Sequence, residues 1–196
     1  GNNILACGWV ERGSSRNMMI LRVTSSGVLD TTFSGDGYVE VDFNVAGVRN
    51  DSCSRMVVLP NGDIVAGGVV TDSSGNQAYG LTRLSSAGGF VSSFGNQGRL
   101  FIGDGSALAA TPYLADIAWD AGRNRLLVGC GLVFSASLSP TGCVLAVRGS
   151  NGSLDTAFNG DGRKGFRFSS YGSGAVRELG GTQVRRLLMR DDGSFY

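Results

Sequence analysis

The groups able to do chemistry in this 196-residue chain are carboxylates, arginines and thiols, because it contains no histidine. Without an imidazole there is no Ser-His-Asp or Cys-His nucleophile pair and no histidine-held metal. Two carboxylates occupy matching contexts, Asp30 before Thr31-Thr32-Phe33 and Asp155 before Thr156-Ala157-Phe158. Such a pair could exchange protons or hold calcium. An aspartate in this setting more simply accepts backbone N–H bonds from residues two or three further on, as an Asx-turn. Gly35-Asp36-Gly37 and Gly160-Asp161-Gly162 have the look of calcium loops. Calcium, however, takes about six to eight oxygens, and each loop offers one or two. The middle copy of this loop carries Gln97 in place of the aspartate. Gly160 to Gly165 fits GxGxxG in letters, but a strand follows it rather than a helix, so a dinucleotide site is excluded. No catalytic, cofactor-binding or metal-ligating residue is therefore expected, and no cofactor.

Arg22, Arg83 and Arg148 recur in similar blocks. The expected role is packing, as a salt bridge or a stem lying along apolar surface, rather than ligand binding. Cys7, Cys53, Cys130 and Cys143 lack CxxC spacing, which argues against zinc. Their even number allows two disulfides, and the disulfide state is open. Cys7 and Cys130 fall at matching apolar positions and read as buried free thiols. Trp9, Trp119, Phe33, Phe94 and Phe158 read as core. Asn50-Asp51-Ser52 and Asn151-Gly152-Ser153 are sequons.

Composition narrows the function classes. The 17 basic and 16 acidic residues leave a formal charge of +1, which argues against nucleic acid or an anionic membrane as partner. No apolar run approaches the ~20 residues needed to cross a bilayer. There are 32 glycines and three prolines among 42% apolar residues. That glycine content is about twice the usual level and suits short strands joined by tight turns.

Self-comparison organises these residues. Leu29 to Gly37 returns as Leu154 to Gly162, with a degraded copy at Phe90 to Gly98, at intervals of about sixty residues. Asn3-Ile4-Leu5-Ala6-Cys7-Gly8 returns as Asp63 to Gly68 and, more loosely, as Leu126 to Gly131. Val57 to Gly62 returns as Leu188 to Gly193. Strands are predicted at Arg55–Leu59, Asp63–Val70, Gln77–Leu84 and Arg99–Ile102, the first two joined by a turn at Pro60-Asn61-Gly62. Ala107 to Ala118, which contains Pro112, reads as a loop leading into a strand. Labelling the strands of one repeat A to D, the chain reads B, C, D, then A to D twice, then A. Asn3 to Val10 is a B strand without its A, and Val184 to Arg190 an A strand without its B. The expected fold is all-β: three four-stranded antiparallel blades of a propeller, one repeat region over residues 1–196, cut within a blade at both ends.

Leu29 to Gly37, Leu154 to Gly162 and Asn61 to Gly68 resemble the delta-60 repeat family. The resemblance implies propeller repeats of large bacterial secreted or cell-surface proteins, with no catalytic residues to carry over. Val91 and Ser92, and the lengthened turn Asp120 to Arg125, depart from the family pattern. The function expected is a non-enzymatic scaffold, structural or binding a protein or glycan ligand, with neighbouring repeats of the same protein as partners. The competing expectation is a fragment of a propeller hydrolase or sugar dehydrogenase whose catalytic residues lie elsewhere.

Overall fold

A computed structural model of the chain describes residues 3–43, 49–71, 75–102, 110–134, 141–166 and 184–189. The architecture is all-β, in three antiparallel sheets. Two compact units form, Gly1–Ser106 and Ala107–Tyr196.

The first unit holds two sheets. β1 (Ile4–Arg12), β2 (Ser15–Val23) and β3 (Tyr38–Val41) make one, in that order. β4 (Ser52–Val58), β5 (Ile64–Thr71), β6 (Gln77–Leu84) and β7 (Arg99–Ile102) make the other, again in chain order. Side chains alternate across a strand, so each sheet sorts its apolar residues onto faces. Met18, Ile20, Val39 and Val41 from the first sheet meet Ile64, Ala66, Val70 and Ala78 from the second in one buried core. Each fully buried aliphatic side chain there contributes about 1.5–3 kcal/mol. β4 serves both sheets. Its backbone pairs with β5, while Met56 packs on the shared core and Cys53 is disulfide-bonded to Cys7 of β1.

The second unit holds β8 (Ala110–Asp120), β9 (Arg125–Phe134), β10 (Thr141–Arg148) and β11 (Arg163–Phe166), in chain order across the sheet. Leu127, Val144, Ala146 and Leu187 form its core, with Ala118, Phe158, Phe166, Val184 and Met189 packed against it. Residues 184–189 thus lie on this sheet, and Leu187 N–H donates to Asp116 Oδ2 at 2.9 Å.

One set of backbone hydrogen bonds occurs in all three sheets. Arg22 N bonds Gly37 O, Arg83 N bonds Gly98 O, and Ala146 N bonds Gly162 O. Asp30 N bonds Arg22 O, Val91 N bonds Arg83 O, and Asp155 N bonds Ala146 O. Phe33, Phe94 and Phe158 each accept from the glycine four residues on. That glycine has φ of +90°, +84° and +80° at Gly37, Gly98 and Gly162, the left-handed region. A Cβ on Gly37 would also lie 2.9 Å from Leu29 Cβ. β4 and β8 each carry a bulge, between Cys53 and Arg55 and between Leu114 and Asp116. At the first bulge the strands approach so closely that a Cβ on Gly68 would collide with the Ser52 carbonyl oxygen.

Several sequence expectations change. Cys7 and Cys130 are not free thiols: Cys7 is bonded to Cys53 and Cys130 to Cys143. They do not correspond either. Cys7 is opposite Ile20 and Gly129 opposite Val144, so Gly129 holds the Cys7 position and Cys130 lies one residue beyond. The sequence match at Leu126 to Gly131 was out of register by one because the longer turn before it hides the offset. Ala110 to Ala118 is strand, not loop. Pro112 is tolerated because β8 is an edge strand, where a missing N–H need not break a ladder. At Pro60-Asn61-Gly62 only Gly62 has positive φ, +85°. Gly62 N bonds Leu59 O and Leu59 N bonds Asp63 O, which is a type I turn closed by a glycine bulge. Trp9 is 52% exposed, with the Arg16 guanidinium 5.4 Å above its ring. Within 184–189 only Met189 makes a β-bridge. Residue 190 and residues 107–109 lie outside the described residues.

Candidate functional site

The residues singled out for chemistry gather at the B-strand start, the C strand and the C–D turn of each sheet. In the first sheet Asp30 Oδ2 accepts from Arg22 Nε at 2.8 Å and from Asn3 Nδ2 at 2.6 Å. Its Oδ1 accepts from Thr32 N at 3.1 Å and Thr32 Oγ1 at 2.6 Å. The Thr32 hydroxyl above all, then the Thr32 N–H and the Arg22 guanidinium, hold the Asp30 pKa below the usual carboxylate value against the opposing effect of burial. Both oxygens are occupied by protein donors, so this carboxylate is a fastener rather than an open ligand.

The other sheets solve the same problem with different residues. Asn3, Arg22 and Asp30 correspond in the second sheet to Asp63, Arg83 and Val91, and in the third to Arg125, Ala146 and Asp155. With valine at the turn, Arg83 bonds Asp63 instead, through Nε at 2.9 Å and Nη2 at 2.6 Å. With alanine on the C strand, the cation comes from Arg125 on the B strand. Its Nη1 bonds Asp155 Oδ2 at 2.9 Å and its Nε bonds Asp120 Oδ2 at 2.9 Å. The hydrogen bond from Arg125 is the main cause of a lowered Asp155 pKa. Arg148, expected to match Arg22 and Arg83, is two residues past that position and half-exposed, 3.7 Å from Asp155 Oδ1. A cation and an anion persist at this corner while their positions move. Two of the cations also cap aromatic rings, Arg22 over Phe33 at 4.8 Å and Arg125 over Phe158 at 5.3 Å.

This arrangement makes a sharp prediction. Asp63→Asn removes the carboxylate charge that the partly buried Arg83 bonds, and should cost about 1–3 kcal/mol. Adding Val91→Asp recreates the first-sheet set of Asn, Arg and Asp. It should restore most of the loss, because Ser93 stands where Thr32 supports Asp30. Urea unfolding of the two single variants and the double variant measures the coupling, expected at about 0.5–3 kcal/mol. Simple additivity would refute the correspondence.

The glycine loops are local devices. Asp36 Oδ1 accepts from Tyr38 N at 3.2 Å and Asp161 Oδ1 from Arg163 N at 2.9 Å. Each therefore starts the strand after it. Among the described residues no group of three or more His, Cys, Asp or Glu comes together to hold a metal. Gly160 to Gly165 runs straight into β11. The sequon asparagines Asn50 and Asn151 are both exposed, and Asn151 Oδ1 accepts from Ser153 N and Oγ.

Sequence reasoning missed Asp51. Its side chain is fully buried at the junction of the first two sheets, where Asp51 N bonds Arg16 O. Oδ1 accepts from Thr71 N at 2.9 Å, and Oδ2 has no hydrogen-bond partner among the described residues. Burial raises its pKa from 3.8 to about 6, against the pull of the Thr71 N–H and Arg49. The folded state thus holds the proton more tightly than the unfolded chain. This group's stabilisation is complete below pH ~3.8 and lost as pH rises through about 6, at most about 3 kcal/mol. Asp30 and Asp155 act oppositely: with lowered pKa values, their contribution is present above pH ~3.8 and falls away below it. Asp51→Asn should raise the melting temperature at pH 7 and flatten its slope between pH 4 and 6.5. An unchanged slope would refute the assignment. An Asp in a sequon gives no sign of burial, so only its packing reveals it.

Among the described residues no helix is long and apolar enough to cross a membrane. No protein-family model, curated protein or solved structure matches the chain.

Proposed function

We propose that this chain is a run of β-propeller blades from a secreted or cell-surface protein, serving as a non-enzymatic scaffold that holds a protein or glycan ligand. The observation that carries the reading is the double duty of β4. It is the first strand of one sheet and is fastened, through Cys53 and Met56, to the face of the sheet before. Residues 184–189 lie in the same way on the third sheet, with Val184 against Gly129 and Leu187 in the core. A small sheet whose successor begins on its face supports a stack of blades, because one small sheet cannot bury both faces alone. The resemblance of Leu29 to Gly37 and Leu154 to Gly162 to delta-60 repeats supports the same reading. The two disulfides are compatible with an oxidising, extracellular setting. The acids and arginines described above fasten turns to strands, as a scaffold requires.

Glycan and extracellular-protein arrays probed with the purified chain test this. Saturable binding to one ligand class, with that ligand left chemically intact, is the expected result. Consumption of a glycoside, ester or sugar alcohol by the chain would overturn the non-enzymatic reading. Failure to retain anything on either array would overturn the ligand-binding part.

A further inference from the structure

We propose that the Cys130–Cys143 bridge is a redox-responsive site, opened and closed by exchange with a dithiol while the chain stays folded, whereas Cys7–Cys53 is a fixed structural bond. The inference goes beyond the scaffold reading and does not depend on any ligand. Exposure does not separate the two bridges. Each joins a buried sulfur, Cys53 or Cys130, to a half-buried one, Cys7 or Cys143. Register separates them. Cys130 and Cys143 are directly opposite on β9 and β10. The bonds on either side of them define their rung. Gly149 N bonds Asn124 O, one step beyond the Arg148–Arg125 pair. Ala146 N and Arg148 N turn the other way, to Gly162 O and Ser153 O. Hydrogen-bonded and non-hydrogen-bonded rungs alternate along an antiparallel pair. The odd-numbered residues of β10 therefore exchange hydrogen bonds with β9, and Cys143–Cys130 is a hydrogen-bonded rung.

On such a rung the Cβ atoms stand about 5.5 Å apart, the wide end of the cross-strand range. A disulfide draws its Cβ atoms to about 3.5–4.5 Å. Bond and ladder thus compete for the same two residues, and opening the bond lets the rung relax. Reduction leaves the sheet in place, because β9 and β10 are laddered from Arg125–Arg148 to Leu132–Thr141. The neighbouring rung pairs Gly131 with Gly142, and glycine backbone follows a change of strand spacing readily. Cys7–Cys53 is under no such competition. It joins β1 to β4, strands of different sheets with no ladder between them, and its Cα separation of 5.6 Å is the usual one. Disulfides held against their surroundings are the more oxidising and exchangeable ones. A dithiol's thiolate attacks the half-buried Cys143 Sγ. The S–S bond breaks, its electron pair leaves on Cys130 Sγ, and that sulfur takes up a proton. The dithiol's second sulfur then displaces Cys143 as a thiol. The bridge gains two electrons, the dithiol becomes a disulfide, and the oxidised dithiol reverses both steps.

The test uses the full 196-residue chain, oxidised in air and equilibrated at graded ratios of reduced to oxidised dithiothreitol. Samples are quenched in acid, alkylated in denaturant and read by mass spectrometry of the cysteine peptides. Far-ultraviolet circular dichroism of the same series follows the strands. Cys130 and Cys143 should open at a ratio at least about tenfold lower than Cys7 and Cys53, a gap of about 30 mV, with the strand signal intact. Opening of both bridges together, or of Cys7–Cys53 first, would overturn the proposal. So would loss of strands in step with Cys130 and Cys143, or two free thiols there in the air-oxidised chain. Single variants locate the attack, and the unsubstituted series is independent of any effect they have on folding. Under native conditions with glutathione disulfide, Cys143 in the Cys130→Ser chain should take up glutathione, and Cys130 in the Cys143→Ser chain should not. Faster modification of Cys130 would overturn entry through Cys143.

Discussion

Phe33→Ala and Phe94→Ala will each lower the stability of the first unit by about 3–5 kcal/mol, measured by urea unfolding. Both rings are fully buried. Phe33 is held on every side. Its Cδ2 and Cε2 lie 3.1 Å from where a Cβ on Gly88 would be, the Arg22 guanidinium covers one face, and Ser34 N bonds Ala87 O beside it. A site braced by backbone on one side and an ion pair on the other cannot collapse to fill the hole, so the cavity adds to the lost transfer energy. Phe158 sits in the corresponding hydrogen-bonded turn but is only partly buried. Phe158→Ala should therefore cost less than about 3 kcal/mol. Equal losses at Phe33 and Phe158 would contradict this burial difference.

Cys7→Ser with Cys53→Ser will cost about 4 kcal/mol, and Cys130→Ser with Cys143→Ser about 3 kcal/mol. Loop length is the reason. The first bridge joins residues 46 apart in sequence, the second residues 13 apart. Removing the longer loop returns more freedom to the unfolded chain. The first bridge also fastens one sheet to the next, whereas Cys130 and Cys143 face each other on β9 and β10, which are already laddered. Midpoints of denaturant unfolding for the two double variants, and mass spectrometry of the oxidised parent to verify the pairings, measure this. A larger loss from the shorter bridge would refute the ordering.

Much of the strand pattern was legible because it is local. Gln77–Leu84 and Arg99–Ile102 coincide with β6 and β7, and the strand letters A to D appear in chain order in the second and third sheets. Alternation, Asn-Gly and the Phe-to-Gly spacing act over a few residues, and a few residues are what sequence displays. The turn chemistry was partly misjudged at Asn61, because a glycine bulge and a two-residue turn share the same letters. Pro112 read as a loop since a proline says nothing of whether its strand lies at an edge or in the centre.

The sequence by itself determined the all-β class, the positions where glycine is obligatory and the want of any imidazole chemistry. Each of these depends on residue type and neighbours a few positions away. Only the tertiary structure decided which thiols meet, which aspartate is buried and which cation each turn uses. Cys7 finds Cys53 because β4 is laid across the sheet before it. Asp51 loses water because two sheets close over it. Arg125 replaces the missing arginine of its C strand because, at that corner, its side chain and Asp155 are neighbours in space though 30 residues apart along the chain. Electrostatic pairing constrains the sum of charges at a point rather than the identity of any one position, so sequence comparison along a single line set the repeated arginine at Arg148, whereas in the fold Arg125 makes the shorter contact with Asp155, 2.9 Å against 3.7 Å.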